Sequence, residues 1–96
     1  MTPLFRMVTK ELTIINKLGL HARPAAMFVK VSSAWDAEVT VEKDGEEVNG
    51  KSIMGLMMLA AGCGAKITVT ADGKDEAVVM GLLEALVSSG FTEGGK

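Results

Sequence analysis

Asn16-Lys17-Leu18-Gly19-Leu20-His21-Ala22-Arg23-Pro24-Ala25-Ala26 is the stretch where the hydrophobic period of this chain changes. Before it, Leu12 and Ile14 alternate with Glu11 and Thr13, the period of a half-buried strand. After it, Ala22, Ala25, Ala26 and Val29 recur at helical spacing and predict a narrow core face of small residues. Pro24 fits only because it lies in the first helical turn, where its missing N–H has no intrahelical partner. It also biases Arg23 away from helical dihedrals, so an irregular entry is expected. The helix should end between Ser32 and Ala34.

Working outward, residues 38–42 alternate cleanly and predict a second strand. Asp44-Gly45 is a favoured two-residue hairpin turn, because both positions tolerate positive φ. A short partner strand over 47–49 follows. Ser52 suits the N-cap of a short helix from Ile53 to about Ala60, closed by Gly62. Residues 66–71 alternate again. After Asp72-Gly73 comes a third helix, with Asp75 and Glu76 complementing its dipole. Val78, Leu82, Ala85 and Leu86 are expected on its core face and Gly90 just past its end. The order βαββαβα predicts an α+β fold, an open-faced sandwich with three helices on one face of a four-stranded, mainly antiparallel sheet. Thr13, Thr40, Thr68 and Thr70 suit the wet face of that sheet. A ferredoxin-like domain is the rival arrangement, and the helix after the last strand disfavours it.

The bulk composition sets limits. Ninety-six residues make one domain, and 48% hydrophobic content supports a single modest core. A net charge of −2 and 4% aromatics, with no Tyr, argue against nucleic-acid binding. The single cysteine, Cys63, is expected in an exposed or half-exposed turn; alone it cannot form an internal disulfide, and no metal site is expected. No apolar run approaches the ~18 residues that span a bilayer, so neither membrane insertion nor a signal peptide is expected, and the cytoplasm is the expected compartment. Residues 1–8 read as a disordered extension or as the product of a start assigned upstream of Met7, 9–91 as the domain, and 92–96 as a polar tail.

His21 is the only histidine. A helix start offers unpaired N–H groups and the positive end of a dipole, which favours a phosphate. An imidazole can offer an unprotonated ring nitrogen as a nucleophile. Arg23 stands two residues on and can give charge-assisted hydrogen bonds to phosphoryl oxygens. A histidine beside a helix start is also commonly a surface or cap residue with no chemistry. The pairs Asp36/Glu38 and Glu46/Glu47 are read as solvated charges, and so is Lys17. Trp35, after the first helix, is read as a packing residue.

The string Leu18-Gly19-Leu20-His21-Ala22-Arg23-Pro24-Ala25-Ala26 resembles the active-site motif of the HPr family, the histidine-containing phosphocarriers of the bacterial phosphoenolpyruvate-dependent phosphotransferase system. Lys51-Ser52-Ile53-Met54-Gly55-Leu56-Met57-Met58-Leu59 resembles the family's second signature, around its regulatory serine. The resemblance covers residues 9–91. It implies a carrier rather than an enzyme, with no cofactor. It implies that His21 accepts a phosphoryl group on Nδ1 from enzyme I and passes it to an enzyme IIA domain, with Arg23 stabilising the group. It implies that Ser52 is a substrate of an HPr kinase/phosphorylase, besides being a helix cap, and that Ile53, Met54 and Met57 form an apolar docking surface. A monomer is expected. Cys63 departs from the family, which more often has a polar residue there. Asn16-Lys17-Leu18-Gly19 and Ser89-Gly90-Phe91 resemble the nitrogen-related regulatory branch, whereas residues 51–59 resemble the Ser-regulated sugar branch, so the acceptor stays open. The third alternative is a ligand-sensing or structural domain in which His21 is incidental.

Overall fold

The computed structural model describes residues 7–92. Its elements are β1 (Met7–Thr13), α1 (Ala22–Ser33), β2 (Glu38–Lys43), β3 (Glu46–Asn49), α2 (Ile53–Met58), β4 (Lys66–Asp72) and α3 (Glu76–Ser88). The order is the expected βαββαβα. The strands form one sheet in the order β1-β4-β2-β3, and all three pairings are antiparallel. Met7 pairs with Asp72 and Val8 with Ala71, so these two residues belong to the sheet and not to a preceding extension. The remainder of that expected extension, residues 1–6, lies outside the described residues, as do residues 93–96 of the tail.

Alternation builds the two faces of the sheet. Val39, Val41, Ile67, Val69 and Ala71 are buried beneath the helices, and Leu12 joins them from β1. Between them Thr40, Thr68 and Thr70 face outward, with Thr9 Oγ1 3.2 Å from Thr70 Oγ1 across β1 and β4. Asp44 and Gly45 both have positive φ, 52° and 87°, as the β2–β3 hairpin requires.

Two helical faces differ from expectation. The buried residues of α1 are Pro24, Ala25, Phe28 and Ser32, while Ala22 and Ala26 are exposed. The stripe is therefore rotated towards Phe28, whose burial is worth roughly 1.5–3 kcal/mol and outweighs that of several alanines. Ser32 can lie in the core because its hydroxyl donates to the Gly50 carbonyl at 2.8 Å. In α3 the buried residues are Glu76, Val79, Met80, Leu83 and Val87, whereas Val78 and Leu82 are exposed. The helix is apolar nearly all round, so its period alone does not choose a face.

Caps fix the ends. Ser52 Oγ accepts from Gly55 N–H at 3.0 Å and starts α2. That helix stops earlier than expected, at Met58, because Ala60 takes a left-handed φ of 53° before Gly62 is reached. Asp75 occupies the N-cap position of α3, but its carboxylate accepts from the N–H groups of Asp36 and Ala37, at 3.1 and 2.9 Å. It thereby ties α3 to the entry of β2. At the other end, Gly90 N–H donates to Val87 O and Phe91 N–H to Leu86 O, both at 3.0 Å. This is a Schellman closure with Gly90 as C′, and it turns Phe91 back into the core.

Candidate functional site

His21 is the N-cap residue of α1, in extended conformation (φ −84°, ψ −167°), and its side chain makes no capping bond. It is exposed. The first bond of the helix runs from Ala25 N–H to His21 O at 2.9 Å, so the N–H groups of Ala22 and Arg23 precede the helical ladder. Pro24 at the next position has no N–H to offer. The positive end of the α1 dipole therefore lies at the residue that carries the imidazole.

The segment leading to His21 is held closely. Gly19 N–H donates to Asn16 O at 3.1 Å, closing a turn, and Asn16 Nδ2 donates to Gly19 O at 2.7 Å. His21 N–H donates to the same Gly19 carbonyl at 2.9 Å. Leu20 N–H donates to Ala61 O at 2.8 Å, which joins the segment to the loop after α2. Gly19 has φ +73°, and a Cβ placed there would stand 2.3 Å from Ala61 O, so glycine is required by both conformation and space.

Two shallow hollows flank His21. One, of about 300 Å³, is lined by Leu18, Leu20, Met57 and residues 60–62. The other, of about 260 Å³, is lined by Asn16, Lys17, Leu18, Arg23, Pro24, Met27, Gly90 and Phe91. Among the described residues the second hollow has two cationic side chains and no carboxylate in its wall. Among the described residues neither Lys17 nor Arg23 is in an ion pair. A positive wall beside a helix N-terminus is suited to an anionic group with several oxygens.

The other sequence-derived residues lie on α2. Met57 reaches the wall of the first hollow, beside His21. Ile53 and Met54 are exposed on the same helix but line neither hollow. Ser52, at the start of α2, is partly buried, and its Oγ is occupied by the cap. Cys63 is exposed in its turn as expected, its Sγ 3.6 Å from Ile15 O. Sequence reasoning missed Asn16 and the Gly90-Phe91 wall. The signal for the first was an Asn three residues before a glycine, a common turn closure. For the second it was the helix stop signal itself. Among the described residues no group of His, Cys, Asp and Glu could hold a metal ion, and no helix is long and apolar enough to cross a membrane.

Comparison with known proteins gives the family. The family model described as "PTS HPr component phosphorylation site" matches residues 8–89. The phosphocarrier protein HPr of Neisseria meningitidis serogroup A is 50% identical over 88 residues, covering 92% of this chain and 99% of that protein. The phosphocarrier protein HPr of Cupriavidus necator is 46% identical over the same length and coverage. The crystal structure of HPr from Thermoanaerobacter tengcongensis matches with a TM-score of 0.83 at 44% identity, covering 92% of this chain and 97% of that one. A family match over most of the chain, two relatives of nearly equal length and a shared three-dimensional course all point the same way: this chain belongs to the HPr family, the phosphocarriers of the phosphotransferase system.

Proposed function

We propose that His21 is the residue that carries the phosphoryl group, taking it from phospho-enzyme I and giving it to an enzyme IIA domain. The observation that supports this best is the exposed imidazole at the N-terminus of α1, beside a hollow whose charged residues, among the described residues, are Lys17 and Arg23. In the first step a ring nitrogen of His21 attacks phosphorus on the donor. A new N–P bond forms as the donor's bond breaks, and the donor keeps the electron pair. The second step repeats this with His21 as the donor. Such transfer depends on positioning and on stabilising charge on the phosphoryl oxygens. Arg23 supplies charge-assisted hydrogen bonds, and the N–H groups of Ala22 and Arg23 add the helix-terminal donors. The protein acts as a cytoplasmic, monomeric carrier and turns over only with its partners.

Ile53, Met54 and Met57 give the partners an exposed apolar surface on α2, which Met57 extends to the hollow at His21, and flexible methionines suit a surface that meets more than one partner. Ser52 is the second modification site. A phosphoserine at a helix start is electrostatically favourable, so the modification would act by repelling an acidic partner and not by unfolding α2.

The test is transfer from phosphoenolpyruvate through purified enzyme I. Acid-labile, base-stable label is expected on the wild type and none on His21→Ala, whose fold should be unchanged within about 0.5 kcal/mol because the site is exposed. Equal label on both proteins would assign the group to another residue. Chase into sugar-type and nitrogen-type enzyme IIA then identifies the branch. Purified HPr kinase with ATP is expected to label the wild type and not Ser52→Ala; label on both would remove Ser52 from this role.

A further inference from the structure

Asn16 is a poor investment for stability. Its Nδ2 gives one hydrogen bond, to Gly19 O, but its Oδ1 is buried with no partner among the described residues. A neutral bond gained and a buried acceptor left desolvated are of the same order and opposite in sign. Such an orphan acceptor in a folded protein calls for another explanation. The amide orientation is decided by chemistry, because Gly19 O can only accept and Nδ2 must therefore face it.

What Asn16 does instead is orient a peptide. Gly19 O receives two donors, Asn16 Nδ2 at 2.7 Å and His21 N–H at 2.9 Å, which uses both its lone pairs. That carbonyl is the last fixed group before the α1 N-cap. With Leu20 N–H directed at Ala61 O, the peptide between Gly19 and Leu20 is held from both ends. Asn16 also stands in the wall of the hollow it shares with His21 and Arg23. We propose that Asn16 is a positioning residue for phosphoryl transfer, holding the Gly19 carbonyl so that the His21 backbone presents the imidazole at the positive end of α1. The inference rests on the reading of His21 as the phosphoryl acceptor. Small misplacements of a reacting group carry large rate penalties, so loss of this bond should appear in rate before it appears in stability.

The experiment compares wild type, Asn16→Ala and Asn16→Asp in steady-state transfer from enzyme I, with thermal unfolding of each. Asn16→Asp keeps the size of the side chain and removes the donor. The expected result is kcat lowered roughly tenfold in both variants, KM for the carrier within about twofold of wild type, and Tm within a few degrees. The His21 amide resonance should shift in both variants, reporting the altered bond to Gly19 O. Wild-type rates in both variants would overturn the proposal and leave the role of His21 standing. A rise in KM with a parallel fall in Tm in both would also overturn it, making Asn16 structural. A wild type that takes no label from enzyme I, while folded, would overturn the reading of His21 and this inference with it.

Discussion

Gly19 and Gly62 face each other across the join between the His21 segment and the loop after α2, and they differ in what they tolerate. Gly19 combines φ +73° with a Cβ position 2.3 Å from Ala61 O and 2.7 Å from Gly62 Cα. Gly62 has open space around its own Cβ position. Gly19→Ala is therefore expected to destabilise by at least about 2 kcal/mol, since strain and a backbone clash add. Gly62→Ala is expected to stay within about 0.5 kcal/mol. Urea unfolding of the two variants checks the pair, and equal losses would mean that the close approach is not what fixes Gly19. Much at this scale was legible in the chain. The Ser52 cap, the Asp44-Gly45 turn and Gly90 past α3 all follow from local rules of capping and turn chemistry, and so does the place of His21 at a helix start; the roles of His21 and Arg23 came from the resemblance of their motif to a family. Gly19's contact with Ala61 was not legible, because it joins segments some forty residues apart and leaves no local pattern. Nor was the second bond to its carbonyl, since an Asn beside a turn does not announce what its side chain will meet.

Helices show where period fails. In α1 a row of alanines suggested the core face, yet Phe28 takes the core and Ala22 and Ala26 stay exposed. Alanine is compatible with either side of a helix and so carries little information about its facing. In α3 the sequence Val78-Val79-Met80-Gly81-Leu82-Leu83 offers apolar residues in every direction. The face is held by tertiary contacts, with Asp75 tied to the segment before β2 at one end and Phe91 turned into the core at the other. Neighbouring leucines thus have opposite expectations. Leu83 is fully buried, and Leu83→Ala should cost about 2–5 kcal/mol. Leu82 is 44% exposed, and Leu82→Ala should cost less than about 1 kcal/mol. Reversal of that order in denaturant unfolding would restore the face expected from the sequence. Strands were read better than helices because alternation has only two phases, and the charged and threonine positions select one of them.

At the scale of the whole molecule, the sheet order makes β4 the hub. It pairs with β1 on one side and β2 on the other, whereas β1 and β3 are edges. Its apolar residues Ile67, Val69 and Ala71 are all buried. The β1–β4 ladder joins residues 7–13 to residues 66–72, so the sheet closes only when distant parts of the chain meet. Amide hydrogen exchange is expected to be slowest in β4 and faster in β3, which is short and at the edge. Slower exchange in β3 than in β4 would contradict the pairing. The order of elements was legible from the sequence, but the order of strands was not, because residue alternation says which face a strand buries and nothing about its neighbour.

The two ends of α1 carry different groups, with Met27 lining the hollow at each. His21 begins the helix, and Trp35, the only tryptophan in the chain, lies just beyond its other end, half-buried between α1 and α3 near Ala34 and Leu82. Fourteen residues at the helical rise put roughly 20 Å between them. Indole emission from Trp35 is expected to follow the parting of α1 from α3 and so to report unfolding. The molecule carries its own optical gauge of folding at a distance from its chemistry, and a single cuvette can separate a variant that has lost its reaction from one that has lost its shape.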